Sequence, residues 1–419
     1  MELKKQITQI AKNALSASRV LANLTASDKN RILEEMSASL QNNKEQILKA
    51  NKKDIALAKA SRLSAAFIDR LALNEQRIED MAKCLLAVSR LADPVGAEIK
   101  AWQVSSGLQI HKVRVPIGVI AIIYESRPNV TADCIGLAFK SGNSVILRGG
   151  SEALHSNLAI FEALNEIFKK NKLPQGSINI IATKNRQAVN ILLKLNAYID
   201  LVIPRGGEGL IKKVVALSRI PVIKHYKGIC HVYVDDDADL NMAEKICFNA
   251  KVQRPGVCNA MESMLVHRDA AIRFLPGMLK KFKEAGVEIR GCPLTQQIGK
   301  EGIKKAKDAD YRTEYSDLIL AVKVVASLDE AITHINEYGS HHSDSIITDD
   351  EKNAREFLKK VDSACVYVNA STRFTDGNQF GMGAEIGIST DKLHARGPMA
   401  LEELTTYKYA VWGSGQVRE

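Results

Sequence analysis

The sequence predicts an α/β protein built on two parallel sheets, and three observations support that prediction. From Pro116 onward, short runs rich in Ile and Val alternate with helix-like segments, the pattern of strands joined by crossover helices. The runs are apolar on both faces, so both faces of each sheet are expected to be covered, as in a parallel sheet. The alternation begins again near Cys230, so a second α/β series follows the first. A chain of 419 residues also exceeds what one modest core organises, and two or three domains are expected.

Each element has a local justification. Residues 1–95 repeat Ala, Leu, Lys and Glu at helical spacing, clearest in Arg31–Lys49 and Ile78–Ala92, and Pro94 and Gly96 end that region. Glu98–Ser106 and Leu108–Val115 partly alternate apolar and polar residues around Gly107 and read as a hairpin. The first α/β series comprises strand Gly118–Tyr124, helix Val130–Lys140, strand Ser144–Leu147, helix Glu152–Lys170, strand Ile178–Ile181, helix Arg186–Leu193 and strand Leu201–Ile203. The second opens with strand His231–Val234, helix Leu240–Ala250 and strand Glu262–Val266. A helical region across Ala271–Ala285 follows, which Pro276 and Gly277 are expected to kink or divide, and then a turn and strand near Gly286. Leu318–Val325, Asp329–Tyr338, Ser345–Thr348, Glu351–Lys360 and Cys365–Asn369 continue the series. Beyond Gly377 the chain is glycine-rich, which suits a loop around a site, and Tyr407–Trp412 reads as a terminal strand. The aromatics of that strand suit pairing with the 98–115 hairpin or with a second subunit.

Composition narrows the classes of function. With 46% hydrophobic and 25% charged residues and no low-complexity tract, the chain is ordinary for a globular enzyme. The net charge of +10, from 58 basic and 48 acidic residues, points to solvated faces and an anionic substrate or cofactor more than to nucleic acid. The longest apolar stretch, around Ile117–Ile123, is far short of a membrane span. The seven cysteines form no CxxC pair and no secretory segment follows Met1, so neither a disulfide framework nor a metal site is expected. The odd set of thiols implies a reducing, cytoplasmic setting.

Three segments carry candidate chemistry. Arg148-Gly149-Gly150-Ser151 lies between a buried-type strand and a helix; its glycines let the backbone approach a ligand, and the helix N-terminus can stabilise an anion. An ordinary strand-to-helix turn accounts for the same residues. Pro204-Arg205-Gly206-Gly207-Glu208-Gly209 repeats the theme after the next strand, without the spacing of a Rossmann fingerprint. Both Gly-Gly turns have an adjacent arginine, a natural partner for phosphate. The third segment is Gln253-Arg254-Pro255-Gly256-Val257-Cys258-Asn259-Ala260, where positive charge and backbone N–H groups favour a thiolate on Cys258. A free cysteine is otherwise a small buried hydrophobe, and that role suits Cys84, Cys134, Cys230, Cys247 and Cys365. Cys292, in the turn-like Arg290-Gly291-Cys292-Pro293, is the nearest rival to Cys258 but has no helix or strand start behind it.

At these residues the chain resembles the aldehyde dehydrogenase superfamily, most closely the branch that reduces L-glutamyl 5-phosphate in proline biosynthesis. The resemblance rests on Tyr124-Glu125-Ser126-Arg127-Pro128-Asn129-Val130-Thr131, on 145–152, 203–207 and 253–259, on Tyr367-Val368-Asn369-Ala370-Ser371-Thr372-Arg373-Phe374-Thr375-Asp376-Gly377, and on 383–390 and 393–398. It implies an aldehyde dehydrogenase-like α/β fold: two parallel-sheet domains with a small β oligomerisation element. Residues 1–97 and 116–228 would form the helical N-terminal region and the NADP(H)-binding domain. Residues 98–115 and 400–419 would form the oligomerisation hairpin and tail strand, and 229–399 the catalytic cysteine domain and substrate-covering loop, part of which returns to the cofactor domain. A homodimer or a dimer of dimers is implied, with no nucleic acid and no membrane. The acyl phosphate would come from a separate glutamate 5-kinase that contacts this chain transiently.

The implied chemistry is NADPH-dependent reduction through a thioester on Cys258. A side-chain amide usually helps to stabilise the oxyanion; its aligned position here is Ser126, which leaves Asn129 as the candidate. The cofactor residues implied are Arg148, Gly149, Ser151, Arg205, Gly206 and Gly207, with Glu314 at the nicotinamide ribose. Arg127, Arg254 and Arg373 suit the anionic groups of the substrate, and Asp376 or Glu385 its ammonium. Members restricted to NAD often carry a glutamate three residues after the basic residue of the 145–148 strand. Here that position is Ser151, and Glu152 is expected to turn away on its helix, so NADPH is expected over NADH. Members that oxidise aldehydes to free acids activate water with a glutamate; His225 stands in its place, which fits a phosphate-dependent reductase. Another acyl-phosphate or aldehyde oxidoreductase of the superfamily, or a non-enzymatic binding role, are the alternatives.

Overall fold

A computed structural model describes residues 1–418. The chain forms two compact units: Met1–Lys224 with Gly381–Gly387 and the segment from Met399, and His225–Phe380 with Ile388–Pro398. The last position of the 400–419 segment lies outside the described residues.

The first unit opens with helices Glu2–Leu21, Ala26–Asn42, Lys44–Ala60, Ala65–Leu71 and Glu75–Arg90. Thr25, Ser64 and Asn74 cap three of them with side-chain oxygens. Behind them lies a parallel sheet in the order Ile178–Ile180, Ser144–Arg148, Val119–Tyr124, Leu201–Arg205. Every residue of Val119–Tyr124 is buried. Val119, Ala121 and Ile123 point to one face, where they pack with Ile7, Ala11 and Ala14 of the first helix. That shared core explains why an all-apolar run forms a strand here. Antiparallel strands Glu98–Gln103, Gln109–Pro116 and Thr405–Trp412 form a separate sheet, in which the tail strand pairs with the hairpin from Thr405–Pro116 to Trp412–Gln109.

The helix Leu154–Lys170 begins after the short 3₁₀ turn Ser151–Ala153, and its N-terminus is closed by a residue from a distant helix. Fully buried Asp54 accepts the N–H groups of His155, at 3.3 Å, and of Ser156, at 2.7 Å, together with the Ser156 hydroxyl at 2.6 Å. This end of the helix is therefore already neutralised, and the anion site expected there from sequence is filled by the protein's own carboxylate.

The second unit holds a parallel sheet in the order Ile303–Lys305, Glu288–Gly291, Ile319–Val325, Met261–His267, Cys230–Val234, Ser343–Ile347, Cys365–Val368. Leu240–Val252, Arg268–Glu284, Leu328–Tyr338 and Glu351–Lys360 are its longer helices. Arg268–Glu284 runs through Pro276 as one helix, so of the kink or division expected there it is not division that occurs. The carbonyl that loses its partner there belongs to Ile272, which is exposed, so water replaces the missing donor. Helices Glu208–Leu217 and Pro293–Gly299 and strand Ile303–Lys305 are among the elements that the sequence pattern left unassigned. Among the described residues no helix is long and apolar enough to cross a membrane.

Asp54→Ala is expected to destabilise the first unit by about 2 kcal/mol or more, because the N–H groups of His155 and Ser156, the Ser156 hydroxyl and the His155 ring lose their acceptor. A thermal melt of the variant superimposing on wild type would show that the cap contributes nothing.

Candidate active site

In the first unit the strand register gathers three loops. Ile123 pairs with Arg148 and Tyr124 with Arg205, so the residues after each strand leave the same edge of the sheet. These are 125–129, 149–152 and 206–207, at the carboxyl ends of parallel strands, where such sheets bind ligands. Both Gly-Gly turns are packed against carboxylates. A Cβ on Gly150 would lie 2.0 Å from Oε1 of Glu152, and one on Gly206 would lie 2.4 Å from Oε2 of Glu125. Glu152 does not turn away on the helix as expected. It sits in the 3₁₀ turn and folds back, where its Oε1 accepts from the N–H and the hydroxyl of Ser126 at 3.1 and 3.0 Å. Glu125 accepts the N–H of Gly207 at 2.9 Å.

Arg148 is buried; it donates to the carbonyl of Gly149 at 2.8 Å, while its Nε has no hydrogen-bond partner among the described residues. Burial holds this guanidinium below its usual range, Glu152 and Glu125 favour its charge, and Arg186 opposes it. A buried cation with an unused donor fits an anionic group. Ser151 is exposed beside it. Helix Glu208–Leu217 has Gly207 as its N-cap, and the carboxylate on that end is exposed Glu125 rather than a buried one as at Leu154–Lys170, so a phosphate can compete for it.

Asn129 opens helix Asn129–Lys140 and donates through Nδ2 to Asp133 at 3.0 Å. Burial pushes the Asp133 carboxyl up to about 6, against the opposing pull of that hydrogen bond. Arg205 packs its guanidinium on Gly387, where a Cβ would lie 2.2 Å from a guanidinium nitrogen, and so holds the glycine-rich segment that carries half-buried Glu385. Arg127 is exposed in the 125–129 loop.

The second unit presents Cys258 in the turn between helix Leu240–Val252 and strand Met261–His267. The thiol-bearing residue is half-buried, and its backbone is fixed from behind. A Cβ on Gly228 would lie 2.0 Å from the Cys258 carbonyl oxygen and 2.5 Å from its Cα, so only glycine fits there. The thiol of Cys230 donates to the same carbonyl at 3.2 Å. Burial raises the thiols of Cys84, Cys134, Cys230 and Cys247, which keeps them protonated and inert. Cys292 is committed to Thr295 at 3.3 Å and to the N–H of Val324 at 3.4 Å.

The segment 370–375 runs back along strand Ser343–Ile347: Ser345 donates to the carbonyl of Ala370 at 2.7 Å, and the hydroxyls of Ser343 and Thr375 are 2.6 Å apart. Asn259, next to the nucleophile, stitches it down. Its Nδ2 donates to the carbonyls of Thr375 at 2.8 Å and Arg373 at 3.3 Å, and its own carbonyl accepts from Thr372 at 2.7 Å. The guanidinium of Arg373 donates to Oδ1 of Asn259 and, through Nε, to Gln253 at 2.9 Å. Burial and neighbouring Arg254 disfavour the Arg373 charge, whereas Cys258 and Asp376 favour it. Arg254, Cys258 and Asp376 thus all lie within electrostatic reach of Arg373.

Glu314 is half-buried in the loop before strand Ile319–Val325. Two residues on, the N–H of Ser316 donates at 3.0 Å to Glu262, which forms a fully buried ion pair with Lys251 at 2.7 Å. Burial raises Glu262 to about 7, with Lys251 pulling the other way. His225 has Nδ1 2.8 Å from the carbonyl of Ile388, so Nδ1 carries the proton. Its ring meets His342 edge-on. The sequence reading assigns no role to Glu125, Gly228, Lys251 or Glu262; each acts through a partner on another element, and no local spacing signals it.

The Aldehyde dehydrogenase family profile matches residues 2–299 and 304–409. The chain is 55% identical over 419 residues, all of both chains, to the gamma-glutamyl phosphate reductase of Thermodesulfovibrio yellowstonii. It superposes with a TM-score of 0.96 on the crystal structure of gamma-glutamyl phosphate reductase from Thermotoga maritima, 48% identical, covering 99% of this chain and 100% of that one. The glyceraldehyde-3-phosphate dehydrogenase of Methanocaldococcus jannaschii, solved with NADP, shares the fold at a TM-score of 0.71 and 16% identity, over 98% of this chain and 95% of that one.

Gly228→Ala is expected to push the Cys258 backbone out of place and to change the alkylation rate of Cys258 by about tenfold or more. Mass spectrometry after a timed iodoacetamide pulse measures it; an unchanged rate in a folded variant would show that the close approach does not hold the nucleophile.

Proposed function

Because the chain belongs to the aldehyde dehydrogenase family and, within it, to the gamma-glutamyl phosphate reductases, we propose that it reduces L-glutamyl 5-phosphate to L-glutamate 5-semialdehyde and phosphate, using NADPH and a thioester on Cys258. The observation that carries the proposal is the Cys258 turn, a half-buried thiol on a fixed backbone whose neighbour Asn259 holds Arg373 beside it.

Cys258 Sγ attacks the acyl carbon and the carbonyl becomes an oxyanion. Phosphate then departs with the electrons of the broken C–O bond, leaving the thioester. The oxyanion takes the N–H of Cys258 and the amide of Asn129 as donors. Ser126 is a poor alternative, since its N–H and its hydroxyl proton both go to Glu152, whereas Asn129 spends one Nδ2 proton on Asp133 and keeps the other. When bound, NADPH supplies the hydride that reduces the thioester carbon. Collapse of the resulting hemithioacetal frees the aldehyde and returns Cys258. We assign Arg127, Arg254 and Arg373 to the phosphate and α-carboxylate of the substrate, and Asp376 or Glu385 to its ammonium.

The first unit fits a dinucleotide phosphate cofactor through the unused donor of Arg148, the two Gly-Gly turns and the helix N-terminus after Gly207. Gly149, Ser151, Arg205, Gly206 and Gly207 belong to this assignment, and Glu314 is assigned to the nicotinamide ribose. NADPH is favoured over NADH because Ser151 brings no charge, Arg148 and Arg186 bring two, and Glu152 is tied to Ser126. We assign the 98–115 hairpin and the tail strand to homodimer or tetramer contacts, as the exposed Tyr407, Tyr409, Val411 and Trp412 of the tail strand suggest. A reducing cytoplasm suits a chain in which no described cysteine is in a disulfide.

In the reverse direction, NADP+ reduction with glutamate semialdehyde is expected to be negligible until inorganic phosphate is added. Cys258→Ala should abolish it while still binding NADPH, and His225→Ala should keep much of the rate. Phosphate-independent formation of glutamate, lost in the His225 variant, would instead make His225 a hydrolytic base. Catalytic efficiency in the forward direction is expected to be higher with NADPH than with NADH, and equal kcat/KM values would refute the assignment of Arg148 and Ser151.

A further inference from the structure

Glu125 has no part in the chemistry above, yet its carboxylate lies on the turn assigned to the cofactor. Its Oε2 accepts the N–H of Gly207 at 2.9 Å, and a Cβ at Gly206 would meet the same oxygen at 2.4 Å. Gly207 is the N-cap of helix Glu208–Leu217 and contributes no side chain. Glu125 therefore supplies, from the loop after strand Val119–Tyr124, the negative charge that a helix N-terminus attracts. A dinucleotide's diphosphate seeks the same donors, and two anions cannot share them.

We propose that Glu125 sets the affinity for the cofactor by occupying the diphosphate position on the 206–207 turn, from which its side chain must leave when the dinucleotide binds. The proposal rests on the assignment of the first unit to NADPH. The backbone of Glu125 is held, with its N–H donating to the carbonyl of Arg205 at 3.0 Å, so the side chain is the part that moves. That side chain is exposed, and displacing it leaves no buried group without a partner. Arg148 lies within electrostatic reach of Glu125 and offers the displaced carboxylate a counter-charge. The competition weakens binding of NADPH and NADP+ alike and so speeds the release of product cofactor.

Equilibrium titration of wild type, Glu125→Gln and Glu125→Ala with NADPH tests the proposal, with 2′-AMP as a probe that has the adenosine and its 2′-phosphate but no diphosphate. Both variants are expected to bind NADPH about fivefold tighter or more, with 2′-AMP affinity unchanged within about twofold. Unchanged or weaker NADPH binding in Glu125→Gln would overturn the proposal, and so would an equal tightening for 2′-AMP, which would be a general charge effect. If wild type binds neither probe, the nucleotide assignment falls and this proposal with it, an outcome distinct from the other two. Glu125→Gln preserves size and a hydrogen-bond acceptor, so it decides the matter should Glu125→Ala disturb the turn.

Discussion

The constraint that governs this protein is that a parallel sheet covered on both faces leaves polar chemistry nowhere to go except the ends of its strands. Every residue of Val119–Tyr124, Cys230–Val234 and Met261–His267 is buried, so none of these strands offers a side chain to a ligand from its middle. In the first unit the consequence is the familiar one, with three loops leaving the carboxyl ends together. The second unit departs from it. Gly228 and Cys258 precede strands whose first residues, Cys230 and Met261, are paired, so the nucleophile stands at the amino ends. The glycine-rich chain after strand Cys365–Val368 reaches that edge only by running back along Ser343–Ile347.

Reaching the amino edge requires anchors that a ladder does not supply. Asn259 does this for the 372–375 segment with an amide, a carbonyl and the guanidinium of Arg373. The Lys251–Glu262 pair does it for the loop that carries Glu314. Burying two opposite charges is costly unless the geometry is good and further hydrogen bonds satisfy the remaining atoms. Here the second carboxylate oxygen takes the N–H of Ser316, a residue held at φ +52°, a backbone conformation that needs such a tether. An apolar pair of the same volume would fill the space and leave that loop unanchored.

Much of the fold was legible because burial on both faces writes itself into consecutive residues. The strands at 119–124, 144–148, 230–234 and 261–267 stand within a residue or two of the runs read from the sequence. At helix Arg268–Glu284 the sequence leaves kink and division both open, because the effect of a proline depends on whether the carbonyl it orphans meets water, and sequence does not show that Ile272 is exposed. At the site, Cys258 was legible from its own neighbours and from the resemblance. Glu125, whose partner Gly207 is 82 residues away, and Asp54, whose partners His155 and Ser156 are 101 and 102 residues away, were not. Periodicity reports a residue's own face and says nothing about a partner on another element.

The two helix N-termini beside the proposed cofactor loops show how burial separates structure from function. Both present unpaired N–H groups and a partial positive charge, and a folded chain must satisfy them with something. At Leu154–Lys170 the partner is Asp54, fully buried and bonded four times over, so removing it would strand several donors at once. At Glu208–Leu217 the partner is Glu125, exposed and, among the described residues, bonded once through its side chain. The same chemistry is permanent in one place and reversible in the other because water can replace Glu125 and cannot reach Asp54. Two Gly-Gly turns that look equivalent in the sequence are therefore unequal in the fold. The 149–150 turn relies on Arg148 for its anion affinity, and the 206–207 turn on a helix end that only a removable carboxylate covers.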